Sequence, residues 1–298
     1  MSGVVIGVDG SPAADTALRW ALRDAAVRQV PLTVVNAFRV RALRGPLDRD
    51  VDLDDERQAA RSRAEAALGR VADAAGSVPV TVDTAAITDH RSVASALLRR
   101  AGRCDLLVVG ARGLGGFAGL VLGSVSQQVA AHARVPVAVV PDSRTSATGA
   151  RGIASIVVGV DGSEHAMTAL RWAIRAAELH DSALTAVYVY QPPAATLTSD
   201  VLRGIDQARL KAFWTHGQAE ARRALDEMVD KATLDADVTV TRVVVAGDAG
   251  HQLLREAAGH DLLVVGSRGR GGFPGLLLGS VSQRSLQRAH GPVVVVHS

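Results

Sequence analysis

Asp105-Leu-Leu-Val-Val-Gly-Ala-Arg-Gly-Leu-Gly-Gly-Phe-Ala-Gly-Leu-Val-Leu-Gly-Ser-Val-Ser-Gln127 returns as Asp261-Leu-Leu-Val-Val-Gly-Ser-Arg-Gly-Arg-Gly-Gly-Phe-Pro-Gly-Leu-Leu-Leu-Gly-Ser-Val-Ser-Gln283. Each stretch opens on an uninterrupted apolar run, as expected of a strand buried on both faces. Glycines follow, and Gly-Ser then starts a segment with helical spacing. A strand that passes through glycines into a helix start is how open α/β sheets hold phosphate.

Working outward, the repetition covers most of the chain. Val5-Ile-Gly-Val-Asp-Gly-Ser11 recurs as Val157-Val-Gly-Val-Asp-Gly-Ser163, and Ala17-Leu-Arg-Trp-Ala21 as Ala169-Leu-Arg-Trp-Ala173. The offset is 152 residues early and 156 late, so the second copy carries four extra residues. A chain of 298 residues suits two domains of about 150. The expected division is residues 1–141, a Ser-, Thr-, Gly- and Arg-rich linker over 142–154, and residues 155–298.

The first copy predicts strands over Gly3–Asp9, Leu32–Phe38, Pro79–Ile87, Leu106–Val109 and Val137–Val140. Between them fall helices over Pro12–Gln29, Asp54–Ala75, Val93–Gly102 and Ser124–Arg134. Ser11 is the expected N-cap of the first helix, with Pro12 at its first position. Strands alternating with helices predict an α/β fold: two tandem, doubly wound domains, each on a five-stranded parallel sheet.

Both glycine stretches fit Gly-x2-Gly-x9-Gly-Ser. Glycines at the carboxyl end of a strand let backbone amides approach an anion. Gly123 and Ser124 then fall at a helix N-terminus, where amides and dipole favour phosphate, and the Ser124 and Ser126 hydroxyls are candidate donors. The alternative is a flexible turn with Ser124 as a plain N-cap; two complete copies favour the phosphate reading. Arg112 and Arg268 recur inside the loops and either neutralise phosphate or face water. Asp9 and Asp161 end the first strand of each copy, on the same sheet edge. They either accept ribose hydroxyls or form Asx-turns that start the next helix.

Other classes fit less well. There is no Gly-x4-Gly-Lys-Ser/Thr, which excludes a P-loop NTPase. Gly113-Leu-Gly-Gly-Phe-Ala118 matches a dinucleotide fingerprint, but the second copy has Pro274 at the last place and no helix begins there. Aromatic residues make up 3% and the net charge is +3, against a single-stranded nucleic-acid binder. One cysteine, Cys104, leaves no pair for a disulfide and reads as a small packed residue. No apolar run is long enough to span a membrane and no signal peptide is evident, so a cytoplasmic protein is expected.

With these motifs in hand, the chain resembles the universal stress protein family, in its tandem actinobacterial, ATP-binding form. That resemblance implies the Rossmann-like, adenine nucleotide alpha hydrolase-like fold. It implies ATP as ligand, two per chain, with Mg2+ as its candidate companion ion. By it, Gly110, Gly113, Gly123 and Ser124 would hold phosphates in one domain, and Gly266, Gly269, Gly279 and Ser280 in the other. Val125 and Ser126, and their counterparts Val281 and Ser282, complete the first helical turns. Asp9 with Gly7 and Val8, and Asp161 with Gly159 and Val160, would take the nucleoside. Backbone at Asn36-Ala37 and at Val189-Tyr190 would meet the adenine edge. The first copy departs from the family's Gly-led turn, as at Gly247-Asp248, by having Thr88-Asp-His-Arg91, expected to alter the first pocket wall.

No catalytic residue is assigned. The nine histidines form no metal-ligand or triad spacing, and no paired carboxylates recur beside the glycine loops. The expectation is a nucleotide-dependent regulator of stress response or growth with an unknown protein partner. The alternative is a weak ATPase or nucleotide-transfer enzyme. The acidic Asp50–Glu56 and the segment Gln191–Asp206 are candidate lids. The terminal apolar strands, Val135–Val140 and Pro292–Val296, are expected at sheet edges, paired with each other or across a homodimer.

Overall fold

The computed structural model describes residues 3–39, 53–75, 81–89, 91–102, 104–114, 122–142, 152–191, 207–271 and 277–298. Most of the expected linker, 143–151, lies outside the described residues, as do 50–52 and 192–206 of the two candidate lids. By contact the chain divides into two compact units, one built on residues 1–152 and the other on 153–289.

The first unit runs β1 (Val4–Gly7), α1 (Pro12–Arg28), β2 (Leu32–Arg39), α2 (Leu53–Ala75), β3 (Val82–Asp89), α3 (Val93–Arg100), β4 (Leu106–Gly110), α4 (Ser124–His132) and β5 (Val137–Val140). Its strands lie in the order β3-β2-β1-β4-β5, and β1–β2, β2–β3, β1–β4 and β4–β5 are all parallel. The second unit runs β6 (Ser155–Val160), α5 (Glu164–His180), β7 (Ala183–Tyr190), α6 (Gln207–Ala232), β8 (Val240–Ala246), α7 (Ala249–Glu256), β9 (Leu262–Gly266), α8 (Ser280–Arg288) and β10 (Val293–Val296). Its order is β10-β9-β6-β7-β8, with β6–β7, β7–β8 and β6–β9 parallel. In each unit the chain winds outward from the first strand and then reverses. That leaves a topological switch point between β1 and β4, and between β6 and β9, where open α/β sheets bind ligands.

Sequence explains these elements directly. Val4, Ile6, Leu106, Leu107 and Val108 are fully buried, because helices cover both faces of a parallel sheet. Ser11 Oγ accepts the Ala14 amide at 3.2 Å with Pro12 in the first turn of α1, and Ser163 Oγ accepts the Ala166 amide at 3.1 Å to cap α5. Ala17, Leu18, Ala21 and Ala25 form the fully buried stripe of α1. At the amino end of the sheet, Asp105 Oδ2 accepts the Gly3 amide at 2.7 Å. Asp261 Oδ2 does the same for Ala154 and Ser155, at 2.9 and 3.0 Å. These aspartates tie the central strands of each copy together where they begin, a role the sequence reading did not assign.

Burial pushes the Cys104 thiol up to about 11, which keeps it protonated and suits the packing role expected of it. Among the described residues, no helix is long and apolar enough to cross a membrane.

Small residues set how closely α1 and α5 approach the sheet. A Cβ on Gly110 would meet the Ala13 carbonyl carbon and oxygen at 3.1 Å, and one on Gly266 would meet the same atoms of His165 at 2.9 Å. These neighbours are backbone and cannot swing aside. Gly110→Ala and Gly266→Ala should therefore each lower stability by about 1–3 kcal/mol, read as an earlier urea midpoint with unchanged slope. A variant as stable as its parent would show that this approach is not required.

Candidate functional site

A cavity of about 450 Å3 opens outside the carboxyl ends of β1 and β4. Gly7, Val8 and Asp9 line it from β1 and its exit. Gly110 lines it from the end of β4, Arg112 and Gly113 from the loop that follows, and Gly123, Ser124, Val125 and Ser126 from the start of α4. Val35 and Ala37 of β2, with Val93 and Leu97 of α3, form its apolar side. A second cavity of about 380 Å3 is lined by Gly159, Val160 and Asp161, then Gly266, Arg268 and Gly269, then Gly279, Ser280, Val281 and Ser282. Val187, Val189, Ala249 and Leu253 are its apolar side. Both volumes suit a small organic ligand. The structure thus brings the expected strand-end, glycine-loop and helix-start residues onto two equivalent cavities, though neither Asn36 nor Tyr190 lines one, and its geometry revises several of their roles.

The aspartates act first as brackets. Asp9 Oδ1 accepts the Ser11 amide at 3.0 Å, which is the Asx-turn, and Oδ2 accepts the Leu114 amide at 2.9 Å. Asp161 repeats this with the Ser163 amide at 3.0 Å and the Arg270 amide at 2.8 Å. Each oxygen keeps a second lone pair, so a ligand hydroxyl would share the carboxylate with the loop. Gly10 and Gly162, at φ 87° and 88°, make the tight exit that allows this.

The glycines serve different purposes. Gly113 and Gly269 have no positive φ, and a Cβ on either would run into Asp9 Oδ2 or Asp161 Oδ2. Their smallness admits the bracketing carboxylate, which corrects the expectation that it makes room for phosphate. Gly7 and Gly159 admit a leucine instead: a Cβ would stand 3.0 Å from Leu97 Cδ1 and 2.7 Å from Leu253 Cδ2. Gly123 and Gly279 are the N-caps of α4 and α8, in extended conformation and with no side-chain cap. The amides of Ser124, Val125 and Ser126, and of Ser280, Val281 and Ser282, accordingly have no acceptor within their helices. Ser124 is thus the first helical residue, one place beyond the cap.

The hydroxyls divide. Ser126 is buried and its Oγ donates to the Ala111 and Gly123 carbonyls, both at 2.9 Å; Ser282 Oγ donates to the Gly266 carbonyl at 2.6 Å. These protons are used within the loop, so the expectation of Ser126 as a ligand donor is corrected. Ser124 and Ser280 are exposed at the cavities. Arg112 and Arg268 are also exposed and line their cavities.

Two expectations about the walls change. Strand register pairs Gly7 with Val35 and Gly159 with Val187, so Asn36-Ala37 corresponds to Tyr188-Val189, one residue earlier than expected. Thr88, Asp89 and Arg91 line neither cavity; on the adjoining helix the wall has Val93 against Ala249. His90 of that turn lies outside the described residues. The turn is held by Asp89, which accepts the Arg91 amide at 2.7 Å and pairs with Arg99. Sequence reasoning missed His165, whose Nδ1 lies 2.7 Å from Ser298 Oγ. Desolvation, then Arg268, pushes its pKa below the usual histidine value. Its only signal was a histidine standing where the first copy has Ala13. Sequence reasoning also missed Arg270, which lines the second cavity.

The titratable side chains lining the cavities are Asp9 and Arg112 in one, and Asp161, Arg268 and Arg270 in the other. Among the described residues no three His, Cys, Asp or Glu side chains gather as a metal site. The arrangement offers an apolar slot beside a start of helix rich in free amides, which suits an anion joined to a flat organic group.

Comparison with known proteins agrees. The model of the universal stress protein family matches residues 1–141 and 152–297. A universal stress protein of Mycobacterium tuberculosis is 33% identical, over 98% of this chain and 95% of that one. One from Mycolicibacterium smegmatis is 34% identical, over 99% and 96%. A universal stress protein from Archaeoglobus fulgidus shares the fold, with TM-score 0.64 at 20% identity over 99% of this chain and 98% of that one.

The bracket makes a local prediction. Asp9→Ala should release the Leu114 amide and Asp161→Ala the Arg270 amide, with about tenfold or greater loss of hydrogen-exchange protection at those positions. Unchanged protection would show that the loops are held by other bonds.

Proposed function

The chain belongs to the universal stress protein family, and on that premise we propose that each unit binds one adenine nucleotide, ATP, as the signal of a regulator of stress response or growth. The observation that carries this reading is the uncapped helix start facing an apolar slot, present twice. Gly123 and Gly279 leave the first-turn amides bare, and a phosphate chain is an acceptor of matching charge for them. Ala37 and Val189, on the apolar side, are where a base would lie. Asp9 and Asp161 lie within reach of a sugar between these ends. Mg2+ would travel with the phosphates. A homodimer and a protein partner that senses the nucleotide state belong to the same proposal.

The residues present fit this ligand by a physical test. A Cβ on Gly123 or Gly279 would have nothing nearer than 3.4 Å, so a capping side chain would fit where none is found. Gly123→Asp and Gly279→Asp should each cap their own helix, adding about a few tenths of a kcal/mol to the stability of nucleotide-free protein. Each should also remove one ATP site, because a carboxylate then occupies the amides. Calorimetric titration should find two ATP per parent chain, one per single variant and none for the double variant. Two ATP on the double variant would overturn the proposal. Mass spectrometry of nucleotide released on denaturation separates the alternatives: ATP supports a regulator, whereas ADP or AMP supports slow hydrolysis or transfer.

A further inference from the structure

The two cavities differ most at the residue after the second loop glycine. Leu114 holds this place in the first copy and is 72% exposed, while Arg270 holds it in the second. Both backbones do the same work, since each amide donates to its bracketing aspartate. The side chains do not. Arg270 Nη1 donates to the Tyr188 hydroxyl at 3.1 Å and reaches the Asp161 carbonyl at 3.5 Å, so the guanidinium spans from the glycine loop to the end of β7. In the first copy the same strand junction is closed by a neutral group, the buried Asn36 amide, which donates to the Val8 carbonyl at 2.8 Å. The second cavity is thus lined by two arginines, Arg268 and Arg270, and the first by Arg112 alone.

We infer that Arg270 makes the second site a reader of phosphate-chain charge, selecting nucleoside triphosphate over monophosphate, while the first site discriminates less. The inference rests on the nucleotide reading of both cavities and assigns them unequal roles. Its physical basis is the choice of acceptor. Tyr188 and the Asp161 carbonyl are neutral acceptors, whereas a terminal phosphate is charged and takes a guanidinium through two parallel bonds. The Arg270 side chain is exposed, so moving from one to the other disturbs no core packing. Its resting bonds hold it against Tyr188 and Asp161 at the cavity wall, which reduces the freedom lost when a ligand arrives. Leu114 offers a triphosphate nothing comparable.

Calorimetry on the full chain tests this with ATP and AMP as titrants, on parent, Arg270→Leu and Leu114→Arg proteins. The parent should show two classes of site whose ATP-to-AMP affinity ratios differ by about tenfold. Arg270→Leu should bring the ratios together by lowering that of the second site, and Leu114→Arg should raise that of the first. The difference should shrink at high salt, as expected of exposed charges. An Arg270→Leu protein that keeps two sites with unchanged ratios overturns the inference and leaves the nucleotide reading standing. A parent that binds neither titrant overturns both.

Discussion

Each candidate site depends on one carboxylate that holds two stretches of backbone together. Asp9 takes the Ser11 amide on one oxygen and the Leu114 amide on the other, and Asp161 repeats the pattern. The first bond shapes the exit from the central strand into α1 or α5. The second draws in a glycine loop that leaves the sheet about one hundred residues later. Bonds to a charged acceptor contribute about 1.5–3 kcal/mol each. Order then passes onward: the Gly123 amide donates to the Ala111 carbonyl at 2.7 Å, and buried Ser126 fixes the first turn of α4 to the same carbonyl. The open amides of that turn face the cavity because this chain of bonds holds them there.

Much of this was legible in the sequence, for identifiable reasons. Short uninterrupted apolar runs such as Leu106–Val109, bounded by glycine, suit strands buried on both sides, and Ser11-Pro12 before an apolar stripe suits a helix start. Repetition marked the loops, and Gly110, Arg112, Gly113, Gly123 and Ser124, with their counterparts, line the cavities. What the sequence could not show was direction. Gly113 reads as a glycine kept for a ligand until the atom that fills its missing Cβ proves to be Asp9 Oδ2. Ser126 reads as a donor to solvent or ligand until its proton is found on the Ala111 carbonyl. The counterpart of Asn36-Ala37 reads as Val189-Tyr190, one residue late, because strand register follows from hydrogen bonding across the sheet rather than from spacing along the chain.

The two copies keep backbone devices and vary the side chains around them. α3 begins after a turn held by Asp89 and Arg99, whereas α7 begins at Asp248, which accepts the His251 amide at 2.8 Å and pairs with Arg284. Different ion pairs thus place Leu97 and Leu253 equivalently, each against its strand-end glycine. Asn36 and Tyr188, or Leu114 and Arg270, diverge where the backbone work is already done by neighbours. Duplication leaves such positions free to acquire separate duties.

The central place of β1 also bears on how the chain is made. Val4 lies opposite Leu32 on one side and Leu106 on the other. During synthesis the first pairing becomes available early, while the second waits for a stretch that emerges much later. At about 5–20 residues per second, one flank of a wholly apolar strand stays open for several seconds in each half of the chain. Its bare amides and carbonyls can template pairing with another nascent chain throughout that interval. Slow translation or scarce chaperones would therefore cost this molecule through lost yield of folded protein before they touched the stability of the finished fold.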